Sequence, residues 1–251
     1  MRKYWIDEAD ITPPLVYLRG TSFHHICDVC RQGVGDVIGV MSPSNKLYIV
    51  KIQSVGKKEA VAEVLEEKTL PTLPKPYVHL ALCIPRFPVF ETVLEKSVEL
   101  GVKSIQPLFS ENSFIRTPEK WKETKKDRWD RIIKSALQQS GRGDKLILSE
   151  PVKLDQWRDQ INLSSQQKCL FAYEGPSHKP IKEELQAWDL KAIEDVWILV
   201  GGEGGFSTRE VALLQEKQVS AVTLGEQVLR VETACTALVS ILKYELNLMR
   251  S

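Results

Sequence analysis

Four glycines fall within five positions at Gly201-Gly202-Glu203-Gly204-Gly205, directly after the apolar run Trp197-Ile198-Leu199-Val200 and before Phe206 and Ser207. Glycines clustered this way serve backbone conformations or close approaches that a Cβ would block. The apolar run reads as a strand, and Ser207 or Thr208 as the cap of a following helix with Glu210 or Val211 early in it. The loop therefore lies where a strand ends and a helix begins, the usual ligand position in an open α/β sheet. Polyphosphate is a poor match: a P-loop needs a lysine after its last glycine and a dinucleotide loop needs GxGxxG, and neither spacing is met. Glu203 suits N–H, hydroxyl or cationic groups, on a ligand or on a neighbouring backbone. Taken alone, the loop reads equally well as a tight strand-to-helix turn.

Leu224-Gly225-Glu226-Gln227-Val228-Leu229-Arg230-Val231-Glu232-Thr233-Ala234 repeats the arrangement of strand end, glycine turn and helix. Arg230 and Glu232 put opposite charges between apolar residues, where a plain surface turn does not require them. Thr233, Ala234 and Ala237 are small enough for the following helix to pack closely against another backbone.

The elements that position these turns are expected to be strands at residues 77–83, 104–107, 168–173, 196–200 and 221–224. Helices are expected at 90–100, 121–140, 208–216 and 232–249, the charged start of 119–131 being solvated. Such alternation specifies an α/β domain with a largely parallel sheet. Ahead of it, residues 36–41, 46–55 and 60–65 read as strands, with Ser42-Pro43-Ser44-Asn45 as a hairpin turn. Residues 21–31 read as a short helix capped by Thr21 or Ser22. This mostly β portion has the size of a small barrel. Pro71, Pro74 and Pro76 favour an extended connector and divide the chain into residues 1–72 and 73–251.

The 251 residues are 43% hydrophobic, enough for a sizeable core. With 34 Lys and Arg against 33 Asp and Glu, the formal charge is +1, which gives no support to a general polyanion-coating role and confines any nucleic-acid surface to a local patch. The odd set of five cysteines fits reduced thiols in a cytosolic protein. Cys27 and Cys30 form a CxxC, but no second CxxC or clustered histidine pair completes a zinc set, so no metal is expected and the pair reads as core. No run of 18 apolar residues occurs and the first residues lack the apolar core of a signal peptide, so a soluble, cytoplasmic protein without a membrane partner is expected.

The GGEGGFS loop, followed by LGEQVLRVETA, resembles the paired signature of the SPOUT methyltransferases, most closely the RsmE-type ribosomal RNA uracil-N3 methyltransferases. Glu95-Lys96-Ser97-Val98-Glu99-Leu100-Gly101-Val102 resembles the first motif of that family, and Ala136-Leu137-Gln138-Gln139-Ser140-Gly141-Arg142 its second. His24-His25-Ile26 with Val29-Cys30-Arg31 and Gly35-Asp36 resembles its opening RNA-binding domain. Two departures stand out: Gly202 replaces the usual proline, and Ile84-Pro85-Arg86-Phe87 replaces a lysine-glycine pair.

The resemblance implies an α/β fold with an N-terminal PUA-like β-barrel and a C-terminal trefoil-knot methyltransferase domain. It implies S-adenosylmethionine at Leu170, Phe171, Ala172, Val200, Gly201, Gly202, Glu203, Gly204, Leu224, Gly225, Val228 and Leu229. Arg230 is then the residue that orients the uracil or its phosphate and Glu232 its support or a base, while Arg31, Arg86, Arg116 and Arg142 contact RNA. The implied partners are 16S ribosomal RNA within an assembled small subunit and a second copy of the chain. The C-terminal helix, with Ala234, Ala237, Val239, Leu242 and Leu246, would lie in that interface or in plain core. A catalytically silent RNA-binding or ribosome-assembly protein, a different RNA target, and a phosphate-binding use of GGEGGF remain the alternatives.

Overall fold

The computed structural model describes residues 1–122, 126–176 and 178–249. The chain divides into two compact units, Met1–Thr72 with Arg131–Lys145, and Leu73–Asp130 with Leu146–Ser251.

In the first unit, β1 (Lys3–Trp5), β2 (Ile11–Thr12), β3 (Leu15–Arg19), β4 (Val37–Met41), β5 (Lys46–Val55) and β6 (Glu59–Thr69) form one sheet in the order β1-β4-β5-β6-β3-β2. Alternation along β3 and β5 sends Val16, Leu18, Val50 and Ile52 inward, where they meet Ile38, Val40, Ala60 and Ala62. Register shifts between Ile49 and Val50 and between Ile52 and Ser54 let the long β5–β6 ladder curl. The short helix starts earlier than expected: α1 (Gly20–Phe23) has Arg19 at its N-cap position without a side-chain capping bond, so neither Thr21 nor Ser22 caps it. It continues as a π-helical turn, His24–Val29. Cys27 and Cys30 pack partly buried against the same core.

The second unit is built from β7 (Tyr77–Cys83), α2 (Phe87–Glu99), β8 (Ser104–Phe109), α3 (Pro118–Lys122) and α4 (Lys126–Ser140), the last running on into the first unit. It continues with β9 (Ile147–Leu148), β10 (Val152–Lys153), α5 (Leu154–Gln160), β11 (Gln167–Ala172), β12 (Lys179–Pro180) and α6 (Ile181–Gln186). β13 (Asp195–Val200), α7 (Thr208–Glu216), β14 (Ser220–Thr223) and α8 (Val231–Glu245) complete it. The expected 121–140 helix is thus described as α3 and α4, with residues 123–125 outside the described set. α2 starts three residues early because Pro88 is pre-organised for a first helical turn. α8 stops at Glu245, short of 249, because Asn247 turns left-handed at φ 56°.

The strand order is β10-β8-β7-β13-β11-β14-β12, with β9 beside β8 and every pairing parallel. The central strands β7 and β13 are almost continuously buried, as strands covered on both faces must be. The chain leaves β7 toward β8 on one side and leaves β13 toward β14 on the other, so a crevice opens at their carboxyl ends. Both glycine-centred turns follow strands of this sheet. On α8, Ala234, Val239, Leu242 and Leu246 are buried, and the helix packs on α2, β7 and β13, so these four are core of this unit.

Candidate active site

The loop after β13 is held by its own backbone. Gly205, at φ +63°, donates its N–H to the Gly202 carbonyl at 2.9 Å. This folds the loop so tightly that a Cβ on Gly201 would sit 3.0 Å from the Gly205 Cα and 3.1 Å from its carbonyl carbon. A Cβ on Gly204 would lie 2.9 Å from the Asn112 Cβ, and Asn112 Nδ2 donates to the Gly204 carbonyl at 3.0 Å. Gly202 differs, its nearest neighbours lying at 3.6 Å. Gly201→Ala is therefore expected to lower stability by about 1–3 kcal/mol and Gly202→Ala by less, read by thermal melts, since only the first sets a methyl against immovable backbone.

Glu210 ties this loop to its neighbour. It is 2% exposed, and its Oε2 accepts from Ser207 N at 2.9 Å while Ser207 Oγ accepts from Glu210 N, a reciprocal cap for α7. Its Oε1 accepts from Glu111 N at 2.9 Å, fastening the segment after β8. Glu203 points the other way, and its Oε1 accepts from Arg86 N at 3.0 Å. The acidic residue of the loop thus holds a neighbouring backbone, at the Ile84-Pro85-Arg86-Phe87 turn. Phe206 packs edge-on against Phe171, with ring centroids 5.7 Å apart.

The second turn is shaped by Gly225 at φ +131°, a conformation that disfavours a side chain, and Thr223 Oγ1 donates to the Gly225 carbonyl at 2.8 Å. Arg230 occupies the N-cap position of α8 in an extended conformation, its carbonyl accepting from Ala234 N at 2.8 Å. Its guanidinium is exposed.

These turns and the end of β11 enclose a cavity of about 680 Å³. Of the residues singled out in the sequence, Arg86, Ala172, Val200, Gly201, Gly202, Glu203, Val228, Leu229, Arg230 and Glu232 line it. Leu170 and Phe171 are fully buried in β11, Gly204 faces Asn112, and Leu224 and Gly225 shape the turn without lining the cavity. Arg116 lines a second cavity of about 450 Å³ that shares Arg86 and Glu203 with the first and adds Lys120 and Phe114, the latter 53% exposed. Arg31 is exposed in the first unit at φ 56°. Arg142, also in that unit, is half-buried, and desolvation lowers its pKa to about 10 against the opposing pull of Asp144.

Sequence reasoning missed the double role of Glu210, although the Ser207-x-x-Glu210 spacing of a capping box was there to read. It missed Glu174 and Phe206 as lining residues and Asn112 as the partner of the glycine loop, contacts between segments distant in the chain.

The RNA methyltransferase domain family matches residues 72–243, and the RNA methyltransferase PUA domain family matches residues 18–65. The ribosomal RNA small subunit methyltransferase E of Aquifex aeolicus is 33% identical over 198 residues, covering 78% of this chain and 81% of that protein. Among solved structures, ribosomal RNA small subunit methyltransferase E from Neisseria gonorrhoeae, bound to S-adenosyl methionine, superposes with a TM-score of 0.81 at 26% identity over 97% of both chains. A Legionella pneumophila methyltransferase in complex with the same cofactor gives 0.83 at 28% identity over 97% of this chain and 98% of that one. The N-terminal PUA-like unit, the parallel methyltransferase sheet and the extent of these matches lead to one assignment: the chain belongs to the ribosomal RNA small subunit methyltransferase E family.

Proposed function

We propose that this protein transfers a methyl group from S-adenosylmethionine to N3 of a uridine in 16S ribosomal RNA. The observation that carries the reading is the 680 Å³ cavity in which two glycine-centred turns converge with Arg230 and Glu232. The names of the relatives and the cofactor in the Neisseria and Legionella structures support it. So does the lining, where backbone brought close by Gly201 and Gly202 and the apolar Val200, Val228 and Leu229 suit an adenosine. The carboxylates Glu174, Glu203 and Glu232 suit a cationic ligand and oppose a polyphosphate. Leu170, Phe171, Gly204, Leu224 and Gly225 serve that ligand from behind, by fixing strand and turns. The same reading gives α8 and its turns the threaded, knotted path of SPOUT enzymes.

When bound, S-adenosylmethionine supplies an electrophilic methyl group. The chain's task is to present a uracil whose N3 has lost its proton, in line with that group. Arg230, exposed at the cavity and carrying a fixed positive charge, orients the base and stabilises the developing imide anion. Glu232, two residues on at the start of α8, holds Arg230 or takes the proton. Arg86, Arg116 and Lys120 draw in the phosphates and the exposed Phe114 offers a stacking face, so the second cavity receives the unpaired nucleotide. Arg31 and Arg142 belong to the PUA-like unit that grips RNA further along.

Residues 1–72 together with Arg131–Lys145 are assigned the RNA-gripping role, and the rest of 73–251 the catalytic one. No helix among the described residues is long and apolar enough to cross a membrane, and the enzyme is assigned to the cytoplasm with small-subunit RNA as its substrate. Val228, 78% exposed on the cavity wall, and Tyr244, 72% exposed on α8, are the apolar surfaces that a second copy would cover in a homodimer. Nucleoside mass spectrometry of 16S RNA from a deletion strain is expected to show loss of one N3-methyluridine, restored by the wild-type gene. An unchanged nucleoside profile would refute the reaction.

A further inference from the structure

The stretch Ala136-Leu137-Gln138-Gln139-Ser140-Gly141-Arg142, which resembles a methyltransferase motif, contributes no residue to the large cavity. It belongs instead to the first compact unit. There Gln138 and Gln139 line a separate cavity of about 550 Å³ together with Arg2, Tyr4, His25 and Cys30. That volume is within the range of roughly 300–1,000 Å³ typical of small-ligand sites.

Three features of this cavity select its occupant. No aspartate or glutamate lines it, although acidic residues are nearly as numerous as basic ones in the chain, so the Arg2 charge is not cancelled within the cavity. Gln138 is fixed in orientation because its Oε1 accepts from Trp5 N at 2.8 Å, which leaves its amide N–H groups to donate. Tyr4 is 3% exposed, and its hydroxyl has no hydrogen-bond partner in the structure. Arg2 and Cys30 lie close enough to bear on the acidity of that hydroxyl, but neither hydrogen-bonds it with acceptable geometry. A buried hydroxyl without a partner is rare and marks a place where a ligand or water belongs. The Tyr4 and His25 rings meet edge to face at 5.9 Å, giving the cavity an aromatic wall.

We infer that this cavity anchors single-stranded RNA, taking a phosphodiester against Arg2 and the Gln138 and Gln139 amides, with the adjoining unpaired base against Tyr4 and His25. Cationic and amide donors beside aromatic edges are the groups that hold phosphate and read an unstacked base. The inference rests on the proposed action on ribosomal RNA and gives Gln138 and Gln139 a role in gripping substrate, separate from the cofactor.

The test uses the full-length protein and a short single-stranded oligouridine carrying 4-thiouridine, with photo-crosslinks mapped by mass spectrometry and affinity measured by fluorescence anisotropy across a salt series. Crosslinks are expected on peptides containing Tyr4 or His25. Joint replacement Arg2→Ala and Gln139→Ala, both at exposed positions, is expected to weaken binding about tenfold and to lower the salt slope by about 1. Tyr4→Phe keeps the ring in the core and is expected to weaken binding about threefold. S-adenosylmethionine affinity should be unchanged in both variants, and with ribosomal RNA as substrate KM should rise while kcat holds. Crosslinks confined to the second unit, or unchanged affinity and salt slope in the double variant, would overturn the site even if the wild type methylates RNA. Conversely, crosslinking at Tyr4 in a protein that methylates no RNA would sustain the site and refute the enzymatic reading.

Discussion

Arg230→Ala is expected to lower the rate of methyl transfer by about 100- to 1,000-fold while leaving S-adenosylmethionine affinity within threefold of wild type. The magnitude is that of removing one pre-organised group from a developing anion. The selectivity follows from placement: Arg230 is exposed on the cavity wall, and the turn that carries it is held by backbone, through the Ala234 N–H and the φ of Gly225. Removing the guanidinium leaves that turn intact. Arg230→Lys keeps the charge but loses the planar fork and should recover only part of the rate. Single-turnover kinetics on 16S RNA, beside cofactor calorimetry, makes the comparison. Equal losses of cofactor affinity and rate would assign Arg230 to the cofactor.

Glu210→Ala is expected to lower stability by about 3 kcal/mol. Its carboxylate accepts from Ser207 N and Glu111 N in a buried setting, and each orphaned N–H costs roughly 1–3 kcal/mol. In a chain of this size that corresponds to a fall in Tm of roughly 6–12 °C. Glu210→Gln keeps one acceptor and loses the other, so about half the loss is expected. Because the two N–H groups sit on the segment after β8 and on the end of the glycine loop, the alanine variant should also bind S-adenosylmethionine more weakly at temperatures where it is folded. Thermal melts with and without cofactor separate the two effects, and a melt indistinguishable from wild type would show that Glu210 does not fasten the loop.

The local parts of this architecture were legible in the sequence because their causes are local. The apolar run of β13, the glycines after it and the Ser207 cap lie within eleven consecutive residues, and the structure keeps them in that order. Helix ends were less legible, since α8 is stopped by a left-handed Asn247 that periodicity does not register. Positive φ and cavity lining depend on what approaches from elsewhere. Asn112 meets Gly204, and Arg86 meets Glu203, across 92 and 117 positions of the chain. No spacing rule links residues that far apart. The same holds for the Gln138-Gln139 pair, whose motif resemblance pointed toward the methyltransferase domain and whose place is in the other unit.

That last placement bears on where the chain can be divided. The first unit is completed by Arg131–Lys145, a segment lying inside the 72–243 span that matches the methyltransferase domain family. A gene cut at the codon for residue 72 would separate the sheet from the helix whose Gln138 accepts the Trp5 N–H. A single cut there therefore leaves the first unit without Arg131–Lys145 and without the cavity wall that Gln138 and Gln139 supply.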